Sequence, residues 1–188
     1  FGPKRPDDPH YAAAFALARR GEPAGFELLK EAIERPESSD IVRATAVELL
    51  QRYPTAESAK LRRDALSDSS PLVRASAVRS FAADASSSED LSAKLVKDIG
   101  PKLDDRSRAV RLAAANRLVA DAGDLAASPF SSSLDEAVKE FRAGQNIQLD
   151  RAQSNRNLGN LALQLGDPLT AAESLRTAIR IEPYLTGP

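Results

Sequence analysis

The sequence predicts an all-α protein, a right-handed α-solenoid of antiparallel helix pairs. The first observation behind this prediction is a repeat: a Val-Arg pair opens an alanine-rich helix three times, within residues 40–53, 70–84 and 107–121. The second observation is that apolar residues recur with helical spacing, and no segment alternates for long with the period of a strand. Repeated helical segments of this kind are typical of stacked helical arrays.

Proline, glycine and capping residues indicate where the helices begin and end. Asp8 is the expected N-cap of the first helix, Pro9 occupies its first position, and Gly21 ends it. Ser70 followed by Pro71 gives the fifth helix a similarly clear start. The ten expected helices cover residues 9–20, 23–35, 40–53, 56–66, 71–83, 89–103, 107–122, 134–148, 151–165 and 168–181.

We expect the chain to consist of three parts. Residues 1–9 contain three prolines and form an extended arm, because proline does not fit inside a helix. Residues 10–123 hold the first repeat array. A loop at residues 123–133 then marks a change of repeat type, and residues 134–188 form a second array that stops where another helix should begin. Since the chain also lacks methionine, we expect it to be a piece of a longer protein.

Composition excludes several classes of function. The 26 basic residues are balanced by 27 acidic ones, so no overall field attracts nucleic acid or an anionic membrane surface. The absence of cysteine excludes disulfides, thiolate metal sites and thiol nucleophiles from this chain. No apolar run reaches the roughly 20 residues that a membrane-spanning helix needs. We therefore expect neither a nucleic-acid partner nor a membrane span.

The sequence contains no recognisable catalytic motif, and we expect no enzyme activity. A HExxH zinc motif, a glycine-rich phosphate loop and a nucleophile elbow are all missing. His10 is the one side chain whose ordinary pKa lies near neutral pH. Two interpretations of His10 stay open: an exposed or capping residue in the first helical turn, or an axial ligand to a haem carried by an upstream part.

The three repeats of the first array align position by position. An apolar column spaced four residues apart on one helix face predicts the core. Its members are Val42, Val73, Val110, Ala46, Ala77, Ala114, Leu50, Phe81 and Leu118. A second column carries an arginine with an acid six residues before it, and we expect a charge-assisted ladder between repeats. The ladder pairs are Glu37 with Arg43, Asp68 with Arg74 and Asp105 with Arg111.

These units resemble HEAT repeats, including the short bacterial type found in bilin lyases. The resemblance covers residues 39–122 and rests on the acid in the turn, the Val-Arg step and the alanine column. It implies the fold of stacked helix pairs and assigns no activity.

Residues 151–183 resemble a tetratricopeptide repeat. Small residues stand where the two helices of that repeat cross, and a proline follows the second helix. The matching positions are Leu158, Gly159, Gly166, Ala171, Ala178 and Pro183. Three positions depart from the pattern, because Asn155, Ala162 and Leu175 stand where the repeat normally has an aromatic residue. We therefore expect a thinner pocket between the helices.

One face of the helix at residues 151–165 is polar and forms our candidate ligand-binding surface. Its members are Gln153, Arg156, Asn157, Asn160 and Gln164. Amide side chains both donate and accept hydrogen bonds, so they suit the backbone of a bound peptide. The resemblance to peptide-binding tetratricopeptide repeats implies that Arg156 and Asn160 hold a terminal carboxylate, with Asn157 beside them. A plain hydrated surface is the alternative.

As a whole, the chain is similar to the C-terminal region of bacterial multihaem c-type cytochromes with tetratricopeptide repeats. The resemblance is most specific in the segments FGPKRPDDPHY, LGNLALQLGD and IEPYLTGP. It implies a periplasmic or extracellular location and haem c in a part upstream of this chain. No CxxCH haem motif is present here, so we expect no cofactor within the chain itself.

The leading hypothesis is a non-catalytic helical-repeat scaffold for protein–protein interaction, as part of a multihaem electron-transfer protein. Its partner would be another protein or a haem domain of the same parent. The alternative is a HEAT-repeat enzyme similar to a bilin lyase or a DNA glycosylase, which needs an acidic, aromatic or basic cluster on the concave surface. The basic cluster at residues 60–63 is instead interpreted as a solvated helix face.

Overall fold

The computed structural model describes residues 11–81, 91–121, 125 and 128–184. Within these residues the chain forms α-helices and short 3-10 helices, and it contains no strand. The predicted all-α, solenoid class is therefore confirmed. The arm at residues 1–9 lies outside the described residues.

The described residues contain ten α-helices. Their bounds are α1 Tyr11–Arg19, α2 Pro23–Glu34, α3 Asp40–Leu49, α4 Ala56–Asp64, α5 Pro71–Ser80, α6 Leu91–Ile99, α7 Arg108–Asp121, α8 Ser131–Asn146, α9 Ala152–Gln164 and α10 Pro168–Ile181. Short 3-10 helices follow α3, α4 and α6, at Leu50–Arg52, Ala65–Ser67 and Gly100–Asp104.

Several helix ends differ from the predicted bounds, and α3 stops at Leu49, four residues earlier than expected, where a 3-10 helix follows. The sixth α-helix stops at Ile99, because Pro101 has no N–H to continue the helical hydrogen bonds and the chain tightens into a 3-10 helix. Helix α8 begins at Ser131, three residues earlier than expected. There the Phe130 ring lies against Gly100, so closely that a Cβ atom at Gly100 would collide with the ring. This tertiary contact anchors a serine-rich segment that local preference assigns to a loop.

The chain forms two compact units, residues 1–98 and 99–188. The sequence-based division, which places a boundary within residues 123–133, rests on repeat type and stays a prediction.

In the first unit, α1 contacts α3 and α3 packs along α5, and these three helices form a first layer. Helices α2, α4 and α6 form a second layer, in which side chains link α2 to α4 and α4 to α6. An apolar cluster built around Phe15, Leu29 and Leu50 lies between α1, α2 and α3.

The predicted core column is confirmed. Eight of its nine members are buried, and Val42 is half-buried against the apolar cluster of the first unit. The middle position of each repeat, Ala46, Ala77 or Ala114, is fully buried. Because alanine ends at Cβ, a neighbouring helix can approach closely at this position. The column therefore sets the packing distance within each unit.

Gly25 allows α1 and α2 to approach each other. A Cβ atom added at Gly25 would lie 2.7 Å from the Ala18 backbone nitrogen and would collide with the Tyr53 hydroxyl. That hydroxyl donates a 2.7 Å hydrogen bond to the Glu22 carbonyl at the N-terminus of α2, and burial raises the pKa of Tyr53. A single small residue thus lets Tyr53, which caps the 3-10 helix after α3, connect that helix to the start of α2.

In the second unit, α9 and α10 form an antiparallel pair joined by a tight turn. Gly166 has a φ of 75°, which lies in the left-handed region that favours glycine. Asp167 then caps α10 by accepting a hydrogen bond from the Thr170 N–H at 3.1 Å, and hydrogen bonding from the side chain and then the backbone of Thr170 lowers the pKa of Asp167. Gly159 faces Leu175, and an added Cβ would come within 2.7 Å of that leucine. A small residue therefore lies where the two helices cross.

We predict that Gly25→Ala destabilises the chain by about 1–3 kcal/mol, the usual cost of overpacking. The sign is diagnostic, because the same substitution at an exposed position inside a helix stabilises by roughly 1 kcal/mol. Chemical denaturation measures the difference. Gly25→Ala combined with Tyr53→Phe removes the hydroxyl in closest contact, and this double variant should lose less stability than the two single variants together. An unchanged or higher denaturation midpoint for Gly25→Ala would contradict the packing argument.

Candidate functional site

The arginine column links repeats, but with a different register from the expected one. Arg43 Nη2 donates to Asp68 Oδ1 of the following turn at 3.2 Å and to Asp40 Oδ1 of its own helix at 2.8 Å. Arg43 and Asp68 are both largely buried. The buried Ser70 hydroxyl beside Asp40, together with Arg43, lowers the pKa of Asp40. The expected pairing of Arg43 with Glu37 is thus replaced by a pairing with the acid of the next repeat.

Within one repeat, the arginine contacts the backbone of the turn that precedes it. Arg74 Nη1 donates to the Asp68 carbonyl at 2.9 Å, and the Asp68 carboxylate accepts from the Ser70 N–H at 2.8 Å. Arg111 and Asp105 repeat the first contact at 2.9 Å, and Asp105 accepts from the Ser107 N–H at 2.8 Å. The corresponding turn of the first repeat has Glu37, whose longer side chain is less suited than aspartate to accept from the N–H two residues on.

Arg111 also links α7 to α8 in the second unit. Its Nη2 atom donates to Glu140 Oε1 at 2.9 Å, and its Nε atom donates to Glu140 Oε2 at 3.2 Å. Arg108 Nε lies 3.1 Å from the same carboxylate. Gly144 leaves room for Arg108, since a Cβ there would lie 2.6 Å from Arg108 Nη2. The arginine column is therefore occupied by protein acceptors, which favours the structural interpretation over an anion site.

For Arg62, the prediction of a solvent-exposed side chain is wrong. This residue belongs to the basic cluster interpreted as solvated, yet only 4% of its surface is exposed. Its Nη1 atom donates to the Ser80 carbonyl at the end of α5 at 2.7 Å, and its Nε atom donates to the Ser58 carbonyl at 3.2 Å. Burial lowers the pKa of Arg62. The helical periodicity of α4 could have predicted this burial, because Arg62 lies four residues after Ser58 and therefore on the same inner face.

The buried serines extend this contact into a polar network. Ser58 Oγ donates to the Leu50 carbonyl at 2.7 Å, and Ser80 Oγ donates to the Ser76 carbonyl at 2.8 Å. Arg62 lies between them and joins α4 to α5. Its positive charge sits at the C-terminal end of α5, where the helix dipole favours a cation.

We predict that Arg62→Ala lowers the free energy of unfolding by about 1.5–3 kcal/mol, the range for hydrogen bonds made by a charged group. The matched control is Arg63→Ala, one residue further on. Arg63 is partly exposed and makes an ion pair with Asp98, which is worth at most about 1 kcal/mol. Urea denaturation of the two variants provides the comparison. Equal losses for both arginines would show that Arg62 does not hold α5.

The five candidate residues of the polar face lie together on α9 as predicted by their spacing, and three of them are connected. Arg156 Nη2 donates to Gln153 Oε1 at 2.9 Å, and Gln153 Nε2 donates to Asn157 Oδ1 at 2.7 Å. Asn157 Nδ2 donates in turn to Gln145 Oε1 of α8 at 3.1 Å. Asn160 and Gln164 continue the face as exposed side chains.

Asn155, one of the departures from the tetratricopeptide pattern, is buried rather than part of a pocket. Its Nδ2 atom donates to the carbonyl of Leu149 at 2.7 Å and to that of Arg151 at 3.0 Å. The asparagine therefore closes the turn between α8 and α9 by donating to two of its carbonyls. Its role is to orient α9, and hence the polar face.

Two further expectations concern a metal and a membrane. His10 lies outside the described residues, so its haem interpretation stays a hypothesis. Across residues 11–81, 91–121, 125 and 128–184, no group of three or more histidine or acidic side chains is placed to hold a metal ion. In that same part of the chain, no helix has both the length and the apolar character needed to cross a membrane.

Comparison with known proteins supports the first array. Residues 5–82 match the family model for HEAT repeats. The matched region includes α1 and α2, upstream of the expected span of residues 39–122, and it ends before α6 and α7. No curated protein and no solved structure matches the chain. The chain thus carries a HEAT-like repeat region, an architecture that generally serves as a helical scaffold for protein interaction.

Proposed function

We propose that this protein is a non-catalytic scaffold that binds a protein partner through the polar face of α9. The observation that carries this proposal is the connected chain of side chains from Arg156 to Gln145, presented on a helical-repeat framework. Such a surface is held in one arrangement before a partner arrives, so binding costs less side-chain entropy.

The direction of the hydrogen bonds defines the chemistry of the partner. Along the chain from Arg156 to Gln145, each amide oxygen accepts from the preceding side chain, while each amide nitrogen keeps at least one N–H to donate. Arg156 adds further guanidinium donors. Because each amide oxygen also keeps a second lone pair, the surplus of donors comes from Arg156, and this surplus suits backbone carbonyls and carboxylates. We propose an extended peptide segment with a carboxylate near Arg156, Asn157 and Asn160, in agreement with the resemblance to peptide-binding repeats.

The charge pattern favours a scaffold over the enzyme alternatives. On the second layer of the first unit, Lys30 pairs with Glu57, Lys60 with Asp64 and Arg63 with Asp98. A DNA glycosylase-like enzyme needs unpaired cations that face phosphate groups. Because each of these cations is paired with an acid, the surface has little net positive potential to attract phosphate groups.

We further propose that the chain belongs to a multihaem c-type cytochrome that acts in electron transfer in the periplasm or outside the cell. The support is the similarity of the terminal segments to that family. In this proposal haem c is bound upstream, and the partner is a separate protein or the haem domain of the same parent. His10 is the residue of this chain that would serve as an axial ligand.

The binding proposal is tested by site-specific photo-crosslinking in extracts of the source cells. With a photoreactive residue at Asn160, we expect one defined adduct that excess unlabelled protein suppresses. The variant carrying Arg156→Ala and Asn157→Ala should compete at least tenfold less well, because about 1.4 kcal/mol of lost binding is a tenfold change in affinity. Arg176→Ala on α10 is the matched control and should compete like the wild type. The absence of a suppressible adduct, or equal competition by all variants, would refute the role of this face.

The cytochrome proposal has a separate test. We expect the coding sequence upstream of Phe1 to contain CxxCH motifs and the full-length protein to fractionate with the cell envelope. If His10 is an axial ligand, His10→Ala in the full-length protein should lower the low-spin haem signal. An unchanged spectrum would remove His10 from the haem site, and an upstream sequence without CxxCH would end the cytochrome proposal.

A further inference from the structure

The two helix layers of the first unit are joined in different ways. In the first layer, α3 packs directly along α5, and both helices carry fully buried alanines, Ala46 and Ala77, in the apolar column. The ion pair between Arg43 and Asp68 reinforces this contact from a largely buried position. Apolar packing of this kind changes little with salt. The first layer is therefore the rigid side of the unit.

In the second layer, Leu61 of α4 packs against the edge of the cluster that contains Leu29 of α2, and side-chain ion pairs bridge the exposed sides of the helices. Lys30 Nζ of α2 lies 2.5 Å from Glu57 Oε1 of α4, and Arg63 Nε of α4 lies 3.3 Å from Asp98 Oδ2 of α6. These four side chains are accessible to solvent, with exposed fractions of 33%, 50%, 42% and 23% in that order. Both bridges have the same polarity, with a cation on the earlier helix and an acid on the following one.

Exposed ion pairs are weak and sensitive to salt. Each loses strength as the screening length falls from about 10 Å at 0.1 M salt to about 3 Å at 1 M. Hydrogen bonding to Glu57, with added attraction from Glu34 and Glu27, raises the pKa of Lys30, so this cation keeps its charge near neutral pH. Near neutral pH, ionic strength is therefore the variable that weakens the bridge at Lys30.

We propose that the first unit is a hinge with an electrostatic latch. The packed α1, α3 and α5 layer is the hinge, to which Arg62 ties α4, and the Lys30–Glu57 and Arg63–Asp98 pairs are the latch that joins the exposed sides of α2, α4 and α6. Screening, or a charged partner that competes for these side chains, releases the latch and separates the second-layer helices. The unit then changes its curvature without losing its helices or its core.

The absence of native cysteine makes the distance measurement direct. Spin labels at Ala24→Cys on α2 and Ala93→Cys on α6 report the second layer, because both positions are exposed and neutral. Labels at Ile41→Cys and Leu72→Cys, two exposed positions on α3 and α5, report the first layer. Double electron–electron resonance on the full chain gives the distance distribution for each pair at low salt and at about 1 M salt.

We expect the second-layer distances to lengthen and broaden on addition of salt, while the first-layer distances stay unchanged. Lys30→Gln combined with Arg63→Gln should show the long distances already at low salt and respond no further. The matched control is Arg20→Gln combined with Lys60→Gln, which removes the same number of charges from pairs that are local in sequence, Arg20–Glu22 and Lys60–Asp64. This control should behave as the wild type.

Far-UV circular dichroism separates opening from unfolding, since helix content must stay constant throughout. The proposal is overturned if salt leaves the second-layer distances of the wild type unchanged. It is equally overturned if the latch variant matches the wild type at low salt, or if first- and second-layer distances change together.

Discussion

The close approach of helices at small residues is the constraint on which the rest of this structure depends. Ala46, Ala77 and Ala114 occupy the same position in three repeats and are all fully buried. Gly25 likewise allows α1 and α2 to approach closely, and Gly159 does so for α9 and α10. Alanine-rich helices bury little area each, and stability here comes from stacking at short distance, where dispersion contacts accumulate. Larger side chains at these points would separate the helices and the turns that the arginines connect.

Arginines complete that framework in three different ways. Arg43 bridges to the next repeat, Arg74 and Arg111 hold the carbonyls of their own turns, and Arg62 caps the end of α5 from inside the protein. The planar guanidinium makes this possible, because it carries five donors in fixed directions and so contacts two elements at once. Lysine could not replace it at these positions. The exposed pairs of the second layer are chemically similar but structurally separate, and they are more accessible to solvent and partners.

A scaffold of this kind has two places where a partner would act. The α9 face offers oriented hydrogen-bond donors, and its arrangement depends on Asn155, which fixes the turn before α9. The second layer of the first unit offers ion pairs that a charged partner exchanges at small energetic cost. Each place lies within one unit, and each is supported by packed helices behind it.

The sequence by itself determined the helices, the repeat and the core column, because these follow from local periodicity and from punctuation by proline and glycine. The spacing of Gln153, Arg156 and Asn157 likewise placed them on one face of α9.

The tertiary structure alone decided which partner each charged side chain takes. Arg62 and Arg63 are adjacent and identical in type, yet one is buried and the other paired at the surface. Glu37 and Asp68 occupy equivalent turns, yet it is the shorter acid that closes its turn and reaches Arg43. The pairing of each charged side chain depends on which helix lies opposite it in space, and the order of residues along the chain does not give the distances between helices.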